Sequence, residues 1–214
     1  LRHPDINARM RALVIDWLIE VNHRYKNPPE MLYLTVNLID RYLSVAPPVA
    51  RGKLQLIGVA ALGVAAHRFS INVVDEKLSW LCARAYPPAE VCAMRATIVS
   101  VLGHDITTVS TRYYVMRYLR ACADEVSRDL VWHASYVAER MLQEYEMLKH
   151  RPSLVAACAV YVARASLGQA PWTEFLHRCS RISEDDLHTC WEDIKRFMDR
   201  PLPERYASTN RRFR

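Results

Sequence analysis

The stretch RMRALVIDWLIEV, residues 9–21, is apolar around more of its circumference than a single packed helix face requires. With helical spacing, two apolar stripes run along it, separated by roughly a third of a turn. The first stripe consists of Met10, Leu13, Val14 and Trp17. The second consists of Ile15, Leu18, Val21 and, further on, Tyr25. One stripe must face a core, so the other either packs under a neighbouring helix or stays at the surface. A surface stripe would form a docking patch centred on Trp17, because exposed apolar groups usually mark binding sites.

Helical periodicity continues through the rest of the chain, and prolines and glycines mark where the helices should begin and end. The first helix, capped by Asp5 or Asn7, should run to about Lys26. In the first half, the pattern predicts further helices over residues 30–45, 53–69, 75–85 and 88–103. In the second half, it predicts helices over residues 111–125, 128–148, 152–167, 172–179 and 184–198. No convincing strand is found, so the sequence predicts an all-α protein.

The patterns of the second and third helices recur in the second half of the chain at a constant offset of 98 positions. This offset aligns Gly58 with Ala156. The third helix is unusually rich in glycine and alanine, so its neighbours can approach closely and it should be central and buried. The repeat predicts two five-helix lobes. The predicted domains are residues 1–107 and 108–200, followed by a basic C-terminal tail, residues 201–214.

Positive charge is concentrated at the C-terminal end of the chain. The net charge is +6, and residues 195–214 hold seven basic and two acidic residues. Such an end can bind nucleic acid or acidic partners, but no arginine-rich stripe or aromatic ladder accompanies it. A solvated end beyond the last helix is the simpler interpretation, and nucleic acid is not an expected partner.

Sequence motifs for catalysis and cofactor binding are missing. The chain has no glycine-rich phosphate loop, no His-Glu-x-x-His and no Gly-x-Ser-x-Gly, so we expect no enzyme activity, metal or cofactor. None of the six cysteines forms a Cys-x-x-Cys pair, and most lie among apolar residues, which favours buried reduced thiols and a reducing compartment. The longest apolar run, residues 54–66, is too short to cross a bilayer, so we expect no membrane contact.

Three consecutive segments carry a family resemblance. They are MRALVIDWLIEV (10–21), PEMLYLTVNLIDRYLS (29–44) and RGKLQLIGVAAL (51–62). Together they resemble the first cyclin box of a mitotic cyclin of the A/B type. The second half is similar to the family more weakly, through residues 152–157 and Glu204-Arg205-Tyr206. The cyclin fold, with two five-helix boxes, agrees with the internal repeat.

The resemblance implies a regulatory subunit that binds and activates a cyclin-dependent serine/threonine protein kinase, controls cell-cycle progression and acts in the nucleus and cytoplasm. Its third and fifth helices would pack against the kinase's regulatory helix and activation segment. The positions that match this kinase-binding face are Lys53, Leu56, Arg68, Phe69, Arg95, Ile98 and Leu102.

The same resemblance implies a surface for recruiting substrates or inhibitors that carry a basic residue followed two places on by leucine. The positions that match this docking patch are Met10, Leu13, Trp17, Glu20, Leu54 and Gln55. Trp17 and Leu13 would receive the leucine, and Glu20 the basic residue. Arg11 and Asp40 match the ion pair that ties the first helix to the second.

The chain departs from the family at two positions of the kinase-binding face. Arg68 stands where the family has lysine, and Arg95 stands where it has glutamate. We expect these two cations to face each other with no counter-ion, unless Glu90 reaches in to neutralise them. The kinase partner would then differ from the common ones.

Two other classes of protein remain open at the level of the sequence. A general transcription factor of the B type also has two cyclin-like lobes and would bind DNA, but it should carry basic residues between its lobes. A cyclin-fold adaptor would recruit substrates without activating a kinase. Salt-dependent DNA binding would identify the first, and an assay of co-purified kinase activity would separate the second from an activator.

Overall fold

The computed structural model describes residues 3–103, 106–122, 126–200 and 208–213, and within these ranges the protein is helical with no strand. The helices of the first half are α1 (Ala8–Arg24), α2 (Pro29–Val45), α3 (Leu54–Arg68), α4 (Asp75–Leu81) and α5 (Pro88–Leu102). Those of the second half are α6 (Thr111–Ala121), α7 (Arg128–Met141), α8 (Pro152–Ser166), α9 (Glu174–Ser180), α10 (Glu184–Asp199) and α11 (Ser208–Arg212). The predicted all-α class is confirmed.

Side chains and prolines at the helix starts explain where several helices begin. Asn7 caps α1, because its side-chain oxygen accepts a hydrogen bond from the Met10 backbone N–H at 3.0 Å. Pro29 occupies the first turn of α2, where a missing N–H costs nothing. Ser183 and Asp186 form a reciprocal capping box at the start of α10.

The fourth and seventh helices are among those that end earlier than the sequence predicts. The fourth ends at Leu81 instead of residue 85, because Ala83 and Arg84 adopt left-handed backbone conformations that a helix does not tolerate. The seventh ends at Met141, and a separate 3-10 turn, Tyr145–Lys149, replaces its predicted last turns. Periodicity alone did not show these breaks, since apolar residues continue past both of them.

The first unit, residues 1–108, is built around α3. Helices α1, α2, α4 and α5 all pack against it. Its glycines permit the close approach that the sequence predicted: a methyl group on Gly58 would lie only 2.9 Å from a methyl of Val14 on α1. The core of this unit therefore depends on small side chains at the centre of α3.

The second unit, residues 109–214, repeats this plan around α8. Helices α3 and α8 have the same length, 15 residues, and they begin 98 positions apart, at Leu54 and Pro152. Helices α6, α7 and α10 pack against α8, whose residues 155–160 are all buried. The predicted pair of repeated helical lobes is confirmed, and the second lobe carries the short helix α11 beyond its five predicted helices.

The prediction that the C-terminal tail is solvated is wrong for residues 208–213. These residues form α11 and the residue after it, and they pack against α7. The ring of Phe213 lies 5.5 Å from Trp132 and 5.6 Å from Tyr136, in edge-to-face geometry, and Arg212 forms an ion pair with the buried Glu139. Phe213 and Arg212 thus hold this segment against α7, although its positive charge alone predicted a solvated segment. Residues 201–207 of the predicted tail lie outside the described residues.

All six cysteines are free thiols. Cys82, Cys122, Cys158 and Cys190 are buried, as the sequence predicted for most of them, whereas Cys92 is exposed. Burial raises the pKa of the Cys82 thiol to about 11, so this group stays protonated at neutral pH. Among the described residues, no helix has both the length and the apolar character that crossing a membrane requires.

Candidate functional site

The two apolar stripes of α1 have different surroundings. Ile15 and Leu18, of the second stripe, are completely buried in the core of the first unit. In the first stripe, Leu13 keeps 38% of its surface exposed, and Trp17 is half-buried. The stripe centred on Trp17 is therefore the one that remains at the surface, which is the arrangement a docking patch needs.

The predicted docking patch spans two packed helices. Trp17 of α1 lies over Gly58 of α3, where an added methyl group would be 3.8 Å from its ring. Leu54 and Gln55 lie one turn before Gly58 on the same helix. Leu54 is only 3% exposed, so it forms the floor of the patch and offers little surface itself.

The other members of the docking patch lie along α1. Met10 is half-buried, and Glu20 is exposed, one turn after Trp17. The patch therefore combines a partly exposed apolar strip with a carboxylate at one end. This combination suits a ligand that presents an apolar side chain and a cation.

The Arg11–Asp40 ion pair is present and joins α1 to α2. Arg11 donates two hydrogen bonds to the carboxylate, from Nε at 2.6 Å and from Nη2 at 2.7 Å. The arginine side chain is 2% exposed and the aspartate 15% exposed. Such a buried, two-pronged pair fixes how α1 lies on α2, and hence where the Trp17 stripe points.

On the predicted kinase-binding face, Lys53 is paired within the chain. Its ammonium forms an ion pair with Glu90 of α5 and lies 6.0 Å from the centre of the Tyr86 ring. The Tyr86 hydroxyl donates to the Gly52 carbonyl at 2.6 Å. The pKa of Tyr86 is raised, mainly by burial, so this hydroxyl remains a donor. This cluster joins the beginnings of α3 and α5.

The expectation that Arg68 and Arg95 face each other without a counter-ion is wrong for Arg95. Its Nη1 donates to the Asp75 carboxylate of α4 at 2.7 Å. The side chain passes close to Gly63 of α3, where a methyl group would lie 3.0 Å from its Nε. Glu90 is not its neutralising partner, since Glu90 pairs with Lys53.

No sequence pattern identifies Asp75 as the partner of Arg95, because Asp75 lies in the first turn of a short helix, 20 positions earlier in the chain. An acidic residue there offsets the helix dipole. The pairing depends on the packing of α4 against α5.

The remaining residues of the kinase-binding face divide into core and surface. Leu56 and Ile98 are 1% and 0% exposed, so they are core residues, and their prediction as partner contacts is corrected. Arg68 is exposed, and Phe69 and Leu102 are half-buried. The sequence could not separate these two groups, because α3 is apolar almost all round.

No group of three or more histidine, cysteine, aspartate or glutamate side chains could hold a metal ion in the part of the chain that the structure describes.

Comparison with known proteins gives the class to which these two helical units belong. The family profile of the cyclin N-terminal domain matches residues 1–107, and that of the cyclin C-terminal domain matches residues 109–213. The chain belongs to the cyclin family.

Its curated relatives include plant cyclins of both the A and the B type. Cyclin-A1-1 of Arabidopsis thaliana is 37% identical over 198 residues, which is 90% of this chain and 43% of the relative. Cyclin-B2-2 of Oryza sativa subsp. indica is 37% identical over 89% of this chain and 45% of its own length. Cyclin-B1-1 of Arabidopsis thaliana is 39% identical over 87% of this chain and 44% of its own length. The chain thus spans less than half the length of these relatives.

Solved structures share the fold at low sequence identity. A viral cyclin from herpesvirus saimiri superposes with a TM-score of 0.77 and 18% identity, over 91% of this chain and 88% of that one. A chain of the CAK complex from Chaetomium thermophilum bound to ATP-gamma-S superposes with a TM-score of 0.64 and 13% identity, over 95% of this chain and 67% of that one.

Proposed function

We propose that this chain is a regulatory subunit that binds and activates a cyclin-dependent serine/threonine protein kinase. The observation that carries the proposal is membership of the cyclin family over both units. The relatives that support it are cyclins of the A and B types. The chain itself supplies binding energy and not chemistry, so it is a regulator and not an enzyme.

Activation in this proposal is a shift of population. The subunit binds the active arrangement of the kinase more tightly than the inactive one, and the active arrangement therefore becomes the major one. Only surfaces that reach the partner contribute. On the α3–α5 face, the residues with accessible surface are the exposed Lys53 and Arg68 and the half-buried Phe69, Arg95 and Leu102.

The ion pairs within the first unit have a supporting role in this proposal. Lys53–Glu90 holds the start of α5 next to the start of α3, and Arg95–Asp75 holds α4 against α5. Both pairs keep the face in one shape before the partner arrives. A face that needs no reordering loses less free energy on binding.

A second part of the proposal is recruitment of substrates through the docking patch. Leu13 and Trp17 would receive a leucine, and the exposed Glu20 would receive the basic residue two places before it. Recruitment of this kind raises the effective concentration of the substrate at the kinase.

The proposal predicts that the pure chain transfers no phosphate and that adding it to its kinase raises the kinase activity by orders of magnitude. The test is to purify the chain with its kinase from native extract and to compare phosphorylation of a simple peptide with and without the chain. A kinase whose activity is unchanged by the chain would contradict the proposal and would favour an adaptor.

A second prediction concerns Arg95 and partner choice. Arg95→Glu alone should lower the stability of the first unit, because the new carboxylate would lie against Asp75. The charge-swapped variant Asp75→Arg/Arg95→Glu should restore the pair. It should also bind a kinase that partners cyclins with glutamate at this position about tenfold more tightly, because backbone N–H groups of that kinase regain an acceptor.

The measurement is the dissociation constant of each variant for that kinase and for the native partner, with Asp75→Asn as the control for a weakened pair. Affinities that stay within a factor of two for both kinases would place Arg95 outside the interface.

A further inference from the structure

The second unit contains a cavity that has no part in the proposed kinase binding. It lies between α8 and α10 and has a volume of about 210 Å³. Its lining residues are Tyr161, Glu184, Asp185, Leu187, His188 and Trp191. The two large aromatic side chains are half-buried, and the two carboxylates are exposed. The cavity is therefore a surface pocket with aromatic walls and an acidic rim.

The rim of this cavity is negative although the chain as a whole carries +6. Glu184 accepts a hydrogen bond from the Tyr161 hydroxyl at 3.2 Å. The pKa of Tyr161 is raised, first by burial and then by this hydrogen bond and the charge of Glu184, so the tyrosine stays a neutral donor. Asp185 is exposed in the first turn of α10. Its charge is thus open to a ligand.

The aromatic wall already holds a cation. The ammonium of Lys195 lies 5.4 Å from the centre of the Trp191 ring, on the same helix. The ring of His188 lies 6.5 Å from that of Trp191. The faces of tryptophan and tyrosine attract cations through their quadrupoles, and Lys195 shows that the Trp191 face does so here.

We propose that this cavity binds an arginine side chain of a basic segment in a partner protein. A guanidinium can stack on an aromatic face and at the same time donate to two carboxylates, which an ammonium cannot do as well. The cavity is smaller than ordinary small-molecule sites and has the size for a single long side chain. Its opening lies at exposed residues, so the rest of the segment can run along the surface of α10.

This inference is independent of the docking patch. That patch lies in the first unit and combines an apolar strip with one carboxylate. The cavity lies in the second unit and is lined by two aromatic residues and two carboxylates. The two surfaces therefore differ in both their unit and their chemistry.

The first test uses two fluorescent peptides of glycine and serine, one with a central arginine and one with citrulline, its neutral counterpart of equal shape. Fluorescence anisotropy with the whole chain should give about tenfold tighter binding of the arginine peptide, by the usual strength of partly desolvated cation–π contacts and carboxylate pairs. Equal affinities for the two peptides would overturn the proposal.

The second test places the binding in the cavity. Asp185→Asn should weaken arginine-peptide binding several-fold, whereas Asp129→Asn, which removes the same charge from the first turn of α7, should leave it unchanged. Lys195→Met should strengthen binding, because it removes a competing cation from beside Trp191. In NMR spectra, the indole N–H resonance of Trp191 should change its chemical shift when the arginine peptide is added. The variant Trp191→Phe identifies this resonance, because it is missing from the spectrum of that variant.

An Asp185 variant that binds as the native chain does, or a peptide that shifts the other tryptophan signals and not that of Trp191, would locate the binding elsewhere and overturn the assignment. Binding of free methylguanidinium without the peptide would mean that a small organic cation, and not a protein segment, is the ligand.

Discussion

Replacing Asp40 with alanine is expected to lower the free energy of unfolding of the first unit by about 3–5 kcal/mol, the usual effect of removing one partner of a buried ion pair. Arg11 is 2% exposed and would lose the carboxylate that accepts two of its hydrogen bonds. The loss should appear as a lower melting temperature and as weaker binding to any partner that depends on the position of α1.

The control for this prediction is Asp5→Ala, which removes an exposed carboxylate from the segment before α1. The double variant Arg11→Met/Asp40→Leu should recover much of the lost stability, since two apolar side chains leave no buried charge. Thermal unfolding followed by circular dichroism measures all three variants. If Asp40→Ala and Asp5→Ala melt at the same temperature, the ion pair does not stabilise the unit.

Replacing Trp17 with alanine is expected to reduce phosphorylation of substrates that carry a basic-x-leucine segment by as much as two orders of magnitude, on the order of the gain that effective concentration provides. Simple peptides without the segment should be affected little. The reason is that Trp17 lies at the surface over Gly58 and takes no part in catalysis. The measurement is kcat/KM of the reconstituted kinase complex for both kinds of substrate.

Trp80→Ala provides a matched control, because Trp80 is a tryptophan of α4 that is 56% exposed and lies outside the docking patch. A different outcome would identify Trp17 as a structural residue. In that case both substrates would lose activity equally, and the unit would lose roughly 3–5 kcal/mol of stability, the usual cost of truncating a core aromatic.

The parts of the fold that the sequence predicted well are those with a strong local pattern. Small residues in α3 and in its counterpart α8 indicate central helices, and most residues of both are buried. The Arg11–Asp40 pair came from the family resemblance alone, since two residues 29 positions apart have no local signature. The family resemblance therefore predicted the contact between Arg11 and Asp40, and the periodicity predicted the helices.

The parts that could not be predicted depend on contacts between helices. Arg95 was expected to lack a counter-ion, but Asp75 lies beside it because α4 packs on α5. Leu56 and Ile98 were expected at a partner surface and are core residues, because an almost entirely apolar helix does not show which side faces solvent. Each of these outcomes depends on how separate helices pack against one another.

Helix α11 has a practical consequence for where this protein can be shortened. Glu139 of α7 is 2% exposed, and burial raises its pKa, while the charge of Arg212 opposes that rise. A fragment that stopped at residue 200 would keep this buried carboxylate but lose its arginine, and would uncover the aromatic rings that Phe213 touches. The smallest stable version of the second unit should therefore extend through residue 213, although composition alone would mark the last residues as dispensable.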